Sequence, residues 1–158
     1  MSKTVKDSKI EMIELVLPND TNMLGNLLGG RLMHWMDIAA ALAASRHCNN
    51  VCVTAAVDNL TFHHSVKLGD IVRLKAAVNR AFKTSMEIGI RVEVESIKSG
   101  QMLHSNSAYF TFVNVDPVRS TPIPVPPVVP EDECEKRRYD EALKRREQRL
   151  TEKRGITK

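Results

Sequence analysis

The sequence predicts an α+β domain in which one antiparallel sheet wraps around a single long central helix, followed by a C-terminal helical tail. Three observations carry that prediction. Residues 30–47 read as a long helix that is apolar on nearly every side. The segments after it, up to Asp116, alternate apolar and polar residues with period two. At Pro117 the composition switches to a proline-rich run and then a charged stretch. Period-two alternation marks strands with one face on a core and one in water, whereas a helix apolar all round is buried on most sides. A sheet around one buried helix satisfies both demands. With 158 residues, 42% of them hydrophobic, the chain suffices for one core plus an appendage.

Each element has its own signal. Residues 10–17 are mostly apolar and β-tolerant, and Pro18 stops them, so they read as a first strand. Residues 18–26 are rich in turn formers, and Gly29-Gly30 closes this loop and opens the helix. That helix spans roughly 25 Å at 1.5 Å per residue. Leu32, Met33, Trp35, Met36, Ile38 and Leu42, with Ala39, Ala40, Ala41, Ala43 and Ala44, leave it almost no polar face, and the alanines let neighbouring backbone approach closely. Four strands are expected next. Residues 51–62 form one. Residues 70–78 set Val72, Leu74, Ala76 and Val78 against Arg73 and Lys75. Residues 86–94 set Met86, Ile88, Ile90, Val92 and Val94 against Glu87, Arg91 and Glu93. Residues 104–115 carry Ala108, Phe110 and Phe112 on one face. Turn signals at 67–70, 79–83 and 98–100 separate them. The outer face of such a sheet and its edges need partners, so oligomerisation is expected.

The tail divides the chain into a domain (1–116), a linker (117–130) and a charged helix (131–158). Pro117, Pro122, Pro124, Pro126, Pro127 and Pro130 predict an extended segment outside any core sheet. The helix has thin apolar content, Tyr139, Ala142, Leu143 and Leu150, with a favourable pair between Glu141 and Arg145. It is expected to pack on a neighbour or to stay partly mobile.

Composition excludes several functions. No apolar run approaches the roughly 18–20 residues of a membrane span. Residues 1–9 are polar and basic with no apolar stretch behind them, so no secretory signal is visible. Cys48, Cys52 and Cys134 are too few for a disulfide scaffold and fit a reducing compartment; the cytoplasm is the expected address. The formal charge of +4 sits mostly in residues 117–158, which hold 11 Lys+Arg and 8 Asp+Glu, against 12 and 11 in residues 1–116. A nucleic-acid binder concentrates its basic face and interleaves aromatics, and aromatics are only 4% here, with Tyr139 alone in the tail. No nucleic-acid or membrane partner is expected.

Asp37 is the most informative candidate, a carboxylate between Met36 and Ile38 in an apolar helix. Such a group is costly unless paired or used, and strongly perturbed acids concentrate at functional sites. A structural Asp bonded to a nearby loop is the plainer alternative. Asp20-Thr21-Asn22 suits turn chemistry as well as a site. The glycines leave backbone N–H groups accessible at a helix N-terminus, which suits an oxyanion or a phosphate. His63 and His64 are adjacent in an extended segment and point to opposite faces. His47, Cys48 and Cys52 lack a fourth partner and zinc spacing, so no metal is expected. There is no G-x-S-x-G.

The run Pro18-Asn19-Asp20-Thr21-Asn22, then Gly25-Asn26, Gly29-Gly30 and Met36-Asp37, resembles the signature of hot-dog fold acyl-CoA thioesterases of the cytosolic acyl-CoA hydrolase type. Val57-Asp58-Asn59-Leu60-Thr61-Phe62, Gly69-Asp70, Thr84-Ser85-Met86-Glu87 and the tail segment from Glu135 to Tyr139 extend the likeness over nearly the whole chain. One departure is visible: Ser65 stands, after His63-His64, where many members have a proline. The resemblance implies a hot-dog sheet around the helix, dimers with a continuous sheet, and assembly of three dimers into a hexamer. It places the catalytic Asn at Asn22, the helix acid at Asp37 and a supporting Thr at Thr54, with Asn22 and Asp37 from different subunits. It implies an acyl-CoA substrate hydrolysed to free acid and CoA, with no cofactor. Asp37 would be general base or nucleophile, and the N–H groups of Gly30 and Arg31 would hold the oxyanion, with Gly29 beside them. Arg80, Lys83 and Ser85 resemble the region that grips the CoA phosphates. Some members bind a guanine nucleotide as regulator; no motif here decides that. Two other classes stay open, a non-catalytic hot-dog module binding acyl-CoA or a nucleotide, and a nucleic-acid adaptor using the basic tail.

Overall fold

The computed structural model describes residues 1–58 and 60–156; Asn59, expected within a strand, and Thr157 and Lys158 of the tail lie outside the described residues. The chain runs β1 (Lys3–Thr4), β2 (Ile10–Leu15), α1 (Gly29–Cys48), β3 (Cys52–Asp58), β4 (Ile71–Ala81), β5 (Ser85–Glu95), β6 (Met102–Asn114), β7 (Val128–Val129) and α2 (Glu133–Ile156). Five strands form an antiparallel sheet in the order β2-β4-β5-β6-β3. Strands β2 and β3 are therefore its edges.

The alternation read from sequence is the inner face. Val72, Leu74, Ala76 and Val78 of β4, Met86, Ile88, Ile90 and Val92 of β5, and Ala108, Phe110 and Phe112 of β6 are all buried. They meet one stripe of α1: Leu32, Trp35, Met36, Ala39, Ala40, Ala43, Ala44 and His47. That spacing of three and four is one helical face, and its alanines bring the helix close to the sheet. Asn49, in the left-handed region at φ 51°, ends the helix.

Several expectations need correction. The helix is buried along one stripe and not on most sides: Met33, Ile38 and Leu42 are 36–46% exposed, because a single sheet wraps only one face. The segment expected as a strand over 51–62 leaves the sheet at Asp58. The turn expected at 79–83 is still strand up to Ala81, with a bulge at Asn79 that the alternation could not reveal.

The largest difference concerns the tail. The proline segment is docked on the domain: Val125 and Val128 are buried, β7 pairs in parallel with β1, and Pro126 O lies 2.6 Å from His47 Nε2. Helix α2 crosses the outer face of its own chain's sheet. The Arg80 guanidinium lies 3.9 Å over the Tyr139 ring, and Ala142 is fully buried. Arg145 donates to both oxygens of Glu87 at 2.7 and 3.0 Å and stacks 3.6 Å over Tyr109. Its hydrogen bonds thus go to the sheet, while Glu141, the partner expected from spacing, favours it through charge alone. Burial is the largest single influence and opposes the Arg145 charge, but the Glu87 hydrogen bonds together with the charges of Glu87, Tyr109 and Glu141 hold its pKa above the ordinary value. Asn79, the bulge residue, donates to the same Glu87 at 3.0 Å. The outer face expected to be wet is thus partly sealed, and Glu87 is only 2% exposed.

Candidate active site

The loop before α1 is ordered by its own polar side chains. Asp20 is buried; its Oδ2 accepts from Leu17 N at 2.9 Å and its Oδ1 faces Arg31 Nε at 3.3 Å. Asn22 closes the tip. Its Oδ1 accepts from Leu24 N at 2.9 Å and from Asn26 N at 3.2 Å, and Gly25 follows at φ +76°. These bonds are the turn chemistry that the residue types suggest. They use only the carbonyl oxygen of the Asn22 amide. Among the described residues nothing accepts from its Nδ2, and the side chain is exposed.

Helix α1 starts directly after this loop. Leu28 supplies no side-chain cap, and the Arg31 N–H donates to Leu28 O at 3.1 Å. Of the amides expected to receive an oxyanion, Arg31's is therefore already engaged. The Gly29 and Gly30 N–H groups are the two without a partner among the described residues. A Cβ on Gly30 would meet open space, whereas one on Gly29 would come 3.2 Å from the Phe62 ring. Glycine at 29 thus lets the half-exposed Phe62 lie against the helix N-terminus.

Asp37 lies eight residues into α1, half-buried at the border between the apolar stripe and the open face. It is less encased than its neighbours in sequence suggest. Thr54 Oγ1 donates to Asp37 Oδ1 at 2.6 Å, a short charge-assisted bond. A bulge in β3 sets this aim. Thr54 pairs with Phe112, Ala56 pairs with Thr111, and Ala55 is the extra residue between them. The bulge keeps both Thr54 and Val57 on the side of Phe112 and Phe110, toward α1. The other side of β3 is a free sheet edge, where Val51, Val53 and Val57 are 36–55% exposed beside Met33, Ile38 and Leu42 of the helix.

The structure thus brings Asp37 and Thr54 together, whereas Asn22 sits at the tip of the loop that leads into the helix and the two glycine amides at the helix start, apart from that pair. At 1.5 Å per residue Asp37 is about 12 Å along the helix from Gly29. Arg80, Lys83 and Ser85 do share one turn. Arg80 Nη1, however, donates to Tyr139 O at 3.1 Å, and Ser85 Oγ accepts from Arg146 at 3.2 Å. Lys83 is exposed, with no side-chain partner among the described residues. A cleft of about 660 Å³ lies on the opposite face of the sheet, under α2, and contains none of these residues. No group of three His, Cys, Asp or Glu among the described residues could hold a metal ion, and no described helix is long and apolar enough to cross a membrane. Sequence reasoning missed Asp58 and Arg149, which form an ion pair at 2.6 Å; an arginine in a charged tail carries no mark of a partner 91 residues away.

Comparison with known proteins gives this arrangement its family. Residues 24–101 match the model of the thioesterase superfamily. The chain is 38% identical over 146 residues to protein VdlD of Helicobacter pylori, covering 92% of this chain and 83% of that protein. It is similar to a solved apo-hexameric acyl-CoA thioesterase, at 38% identity and TM-score 0.91 over 96% of both chains. It is also similar to the acyl-CoA hydrolase of Staphylococcus aureus in complex with butyryl coenzyme A, coenzyme A and coenzyme A disulfide. There the identity is 32% and the TM-score 0.88, over 99% of this chain and 97% of that one. The Staphylococcus enzyme has been solved, too, with an asparagine, an aspartate and a threonine each replaced by alanine. By the fold, the loop-and-helix site and these relatives, the chain belongs to the hot-dog acyl-CoA thioesterases of the thioesterase superfamily.

Proposed function

We propose that the chain hydrolyses acyl-CoA thioesters to a free acid and CoA, at a site shared between two copies. The observation that carries this reading is the Asp37–Thr54 bond on a face left open along the free edge of β3. In one chain the glycine amides lie about 12 Å along the helix from Asp37, too far for both to act on one carbonyl carbon. A second copy, its β3 paired antiparallel across a two-fold axis, brings its own loop to the first copy's Asp37. That pairing also covers Val51, Val53, Met33 and Leu42, which accounts for their exposure in the single chain. The asparagine, aspartate and threonine replaced in the Staphylococcus enzyme stand 15 and 17 residues apart, the separations of Asn22, Asp37 and Thr54, which supports the same trio here.

In the reaction, the N–H groups of Gly29 and Gly30 at the helix N-terminus stabilise the oxyanion that develops on the thioester carbonyl. Asn22 Nδ2 donates to the carbonyl or to the attacking water. Asp37 accepts the proton of that water as it attacks, while Thr54 holds the other carboxylate oxygen in place. Collapse of the tetrahedral intermediate breaks the C–S bond, and the proton on Asp37 passes to the departing thiolate. Lys83, exposed and without a side-chain partner among the described residues, offers charge to the CoA phosphates, whereas Arg80 serves mainly to seat α2.

Thiol release from short, medium and long acyl-CoAs tests the reading. Turnover by the parent protein and a loss of about a hundredfold or more in kcat for a folded Asp37→Ala variant are expected. Tight binding without turnover would instead establish a binding module. A single turnover in ¹⁸O-labelled water checks the role of Asp37: label is expected in the product acid alone, whereas label in the Asp37 side chain would mean direct attack through an anhydride.

A further inference from the structure

Helix α2 touches four of the five strands in succession. Tyr139 meets Arg80 on β4, Arg145 meets Glu87 on β5 and Tyr109 on β6, and Arg149 meets Asp58 on β3. The last contact is unlike the others. Arg149 and Asp58 are each about a quarter exposed, so the pair adds little to the buried seal that Arg145 already makes. Its place is what matters. Asp58 is the final residue of β3, four positions beyond Thr54, and it pairs with Tyr109 directly beneath the Arg145 guanidinium. Residues 60–68 lie outside the sheet and cover the other half of the site. Phe62 lies against Gly29, and Val66 O accepts from Leu27 N at 2.6 Å. The near end of β3 is held separately, by Asn50 donating to Asn114 Oδ1 at 2.7 Å and to Val115 O at 2.8 Å. Within one chain β3 has backbone partners on one side only, and where a second copy's β3 pairs along its other side, a side-chain anchor at each end still sets how far that end departs from the sheet.

Resting on the hydrolase reading above, we propose that Arg149 is a positioning residue of the active site. It touches no reacting atom. By pinning Asp58 it fixes the far end of β3, and with it Thr54 on one side and the Phe62–Gly29 packing on the other. The C-terminal helix is then a strap that holds the catalytic edge in shape, so its docking bears on turnover and not only on stability. Reactive groups displaced by a fraction of an ångström lose rate well before the protein loses its fold.

The experiment compares full-length Arg149→Met, Arg149→Lys, Asp58→Asn and the Asp58→Asn/Arg149→Met double variant. Measurements are kcat and KM for acyl-CoA hydrolysis, thermal midpoint, and hydrogen exchange of β3 and residues 60–68. For Arg149→Met, kcat is expected to fall about five- to tenfold with KM within about twofold of the parent. The thermal midpoint should stay nearly unchanged and exchange in those segments should quicken. Arg149→Lys should recover part of kcat, and the double variant should be no worse than either single, because both remove one interaction. A kcat for Arg149→Met within about twofold of the parent, or a double variant losing the product of the two single effects, would overturn the proposal. A parent protein that fails to release thiol from any acyl-CoA would instead overturn the hydrolase reading on which it rests.

Discussion

Asn22→Ala and Asp37→Asn, each inactive alone, are expected to restore activity when their subunits are mixed. The magnitude follows from the geometry. Asp37→Asn keeps the side-chain shape and the Thr54 hydrogen bond but removes the proton acceptor, and Asn22→Ala removes the donor at the loop tip. Each should lower kcat by at least about a hundredfold. If Asn22 and Asp37 meet only across a two-fold interface, random exchange of equal amounts makes half of the dimers hybrid. In every hybrid one site carries both substitutions and the other carries neither. One of four sites overall is then intact, so activity should return to about a quarter of the parent value. The assay is thiol release before and after co-refolding or prolonged incubation, with subunit exchange verified by mass spectrometry of differently tagged chains. Verified exchange without recovery would refute the argument from the 12 Å separation and return the site to a single chain.

The remaining predictions concern the frame around the site. Glu87→Gln leaves the Arg145 guanidinium buried without its counter-charge and should cost about 3 kcal/mol, read as a fall of roughly 6–12 °C in thermal midpoint. Gly89→Ala would set a Cβ 2.7 Å from Asn79 Nδ2, a buried amide already tied to Glu87; a loss of about 1–3 kcal/mol in denaturant unfolding is expected. Burial lowers the pKa of His47 from its usual 6.5, only partly offset by the Pro126 carbonyl. The folded state therefore binds this proton less readily than the unfolded chain, so stability is full above about pH 6.5 and declines as the pH falls below it. A thermal midpoint measured from pH 7.5 to 5.0 should drop on the acid side, and His47→Gln should flatten that slope.

How legible the site was depends on the range of each interaction. Asp37 stood out because one carboxylate in an apolar helix is a local anomaly, and Asn22 and Gly29-Gly30 stood out because turn formers followed by glycines mark a helix N-terminus. Their company was less visible. Thr54 could be named only from resemblance, since a bulge at Ala55 decides which way it points and bulges leave no trace in alternation. Arg31 was expected as an amide donor, but a tight first turn, with Arg31 N bonded to Leu28 O, takes that hydrogen and leaves Gly29 in its place. Arg80 read as a phosphate ligand until the tail helix covered it.

By itself, then, the sequence determined the backbone states and the inward faces. Period two, period 3.6 and the glycine and proline punctuation act over a few residues, so they survive without knowledge of the fold. Only the tertiary structure decided what lies on the outer face of the sheet, which strand edge stays open, and which arginine of the tail meets which acid. Those pairings join residues 58 to 91 positions apart. A long charged side chain looks the same in sequence whether it ends in water or on a buried carboxylate. The difference comes from the strand order, which sets Glu87 and Asp58 under successive turns of one helix.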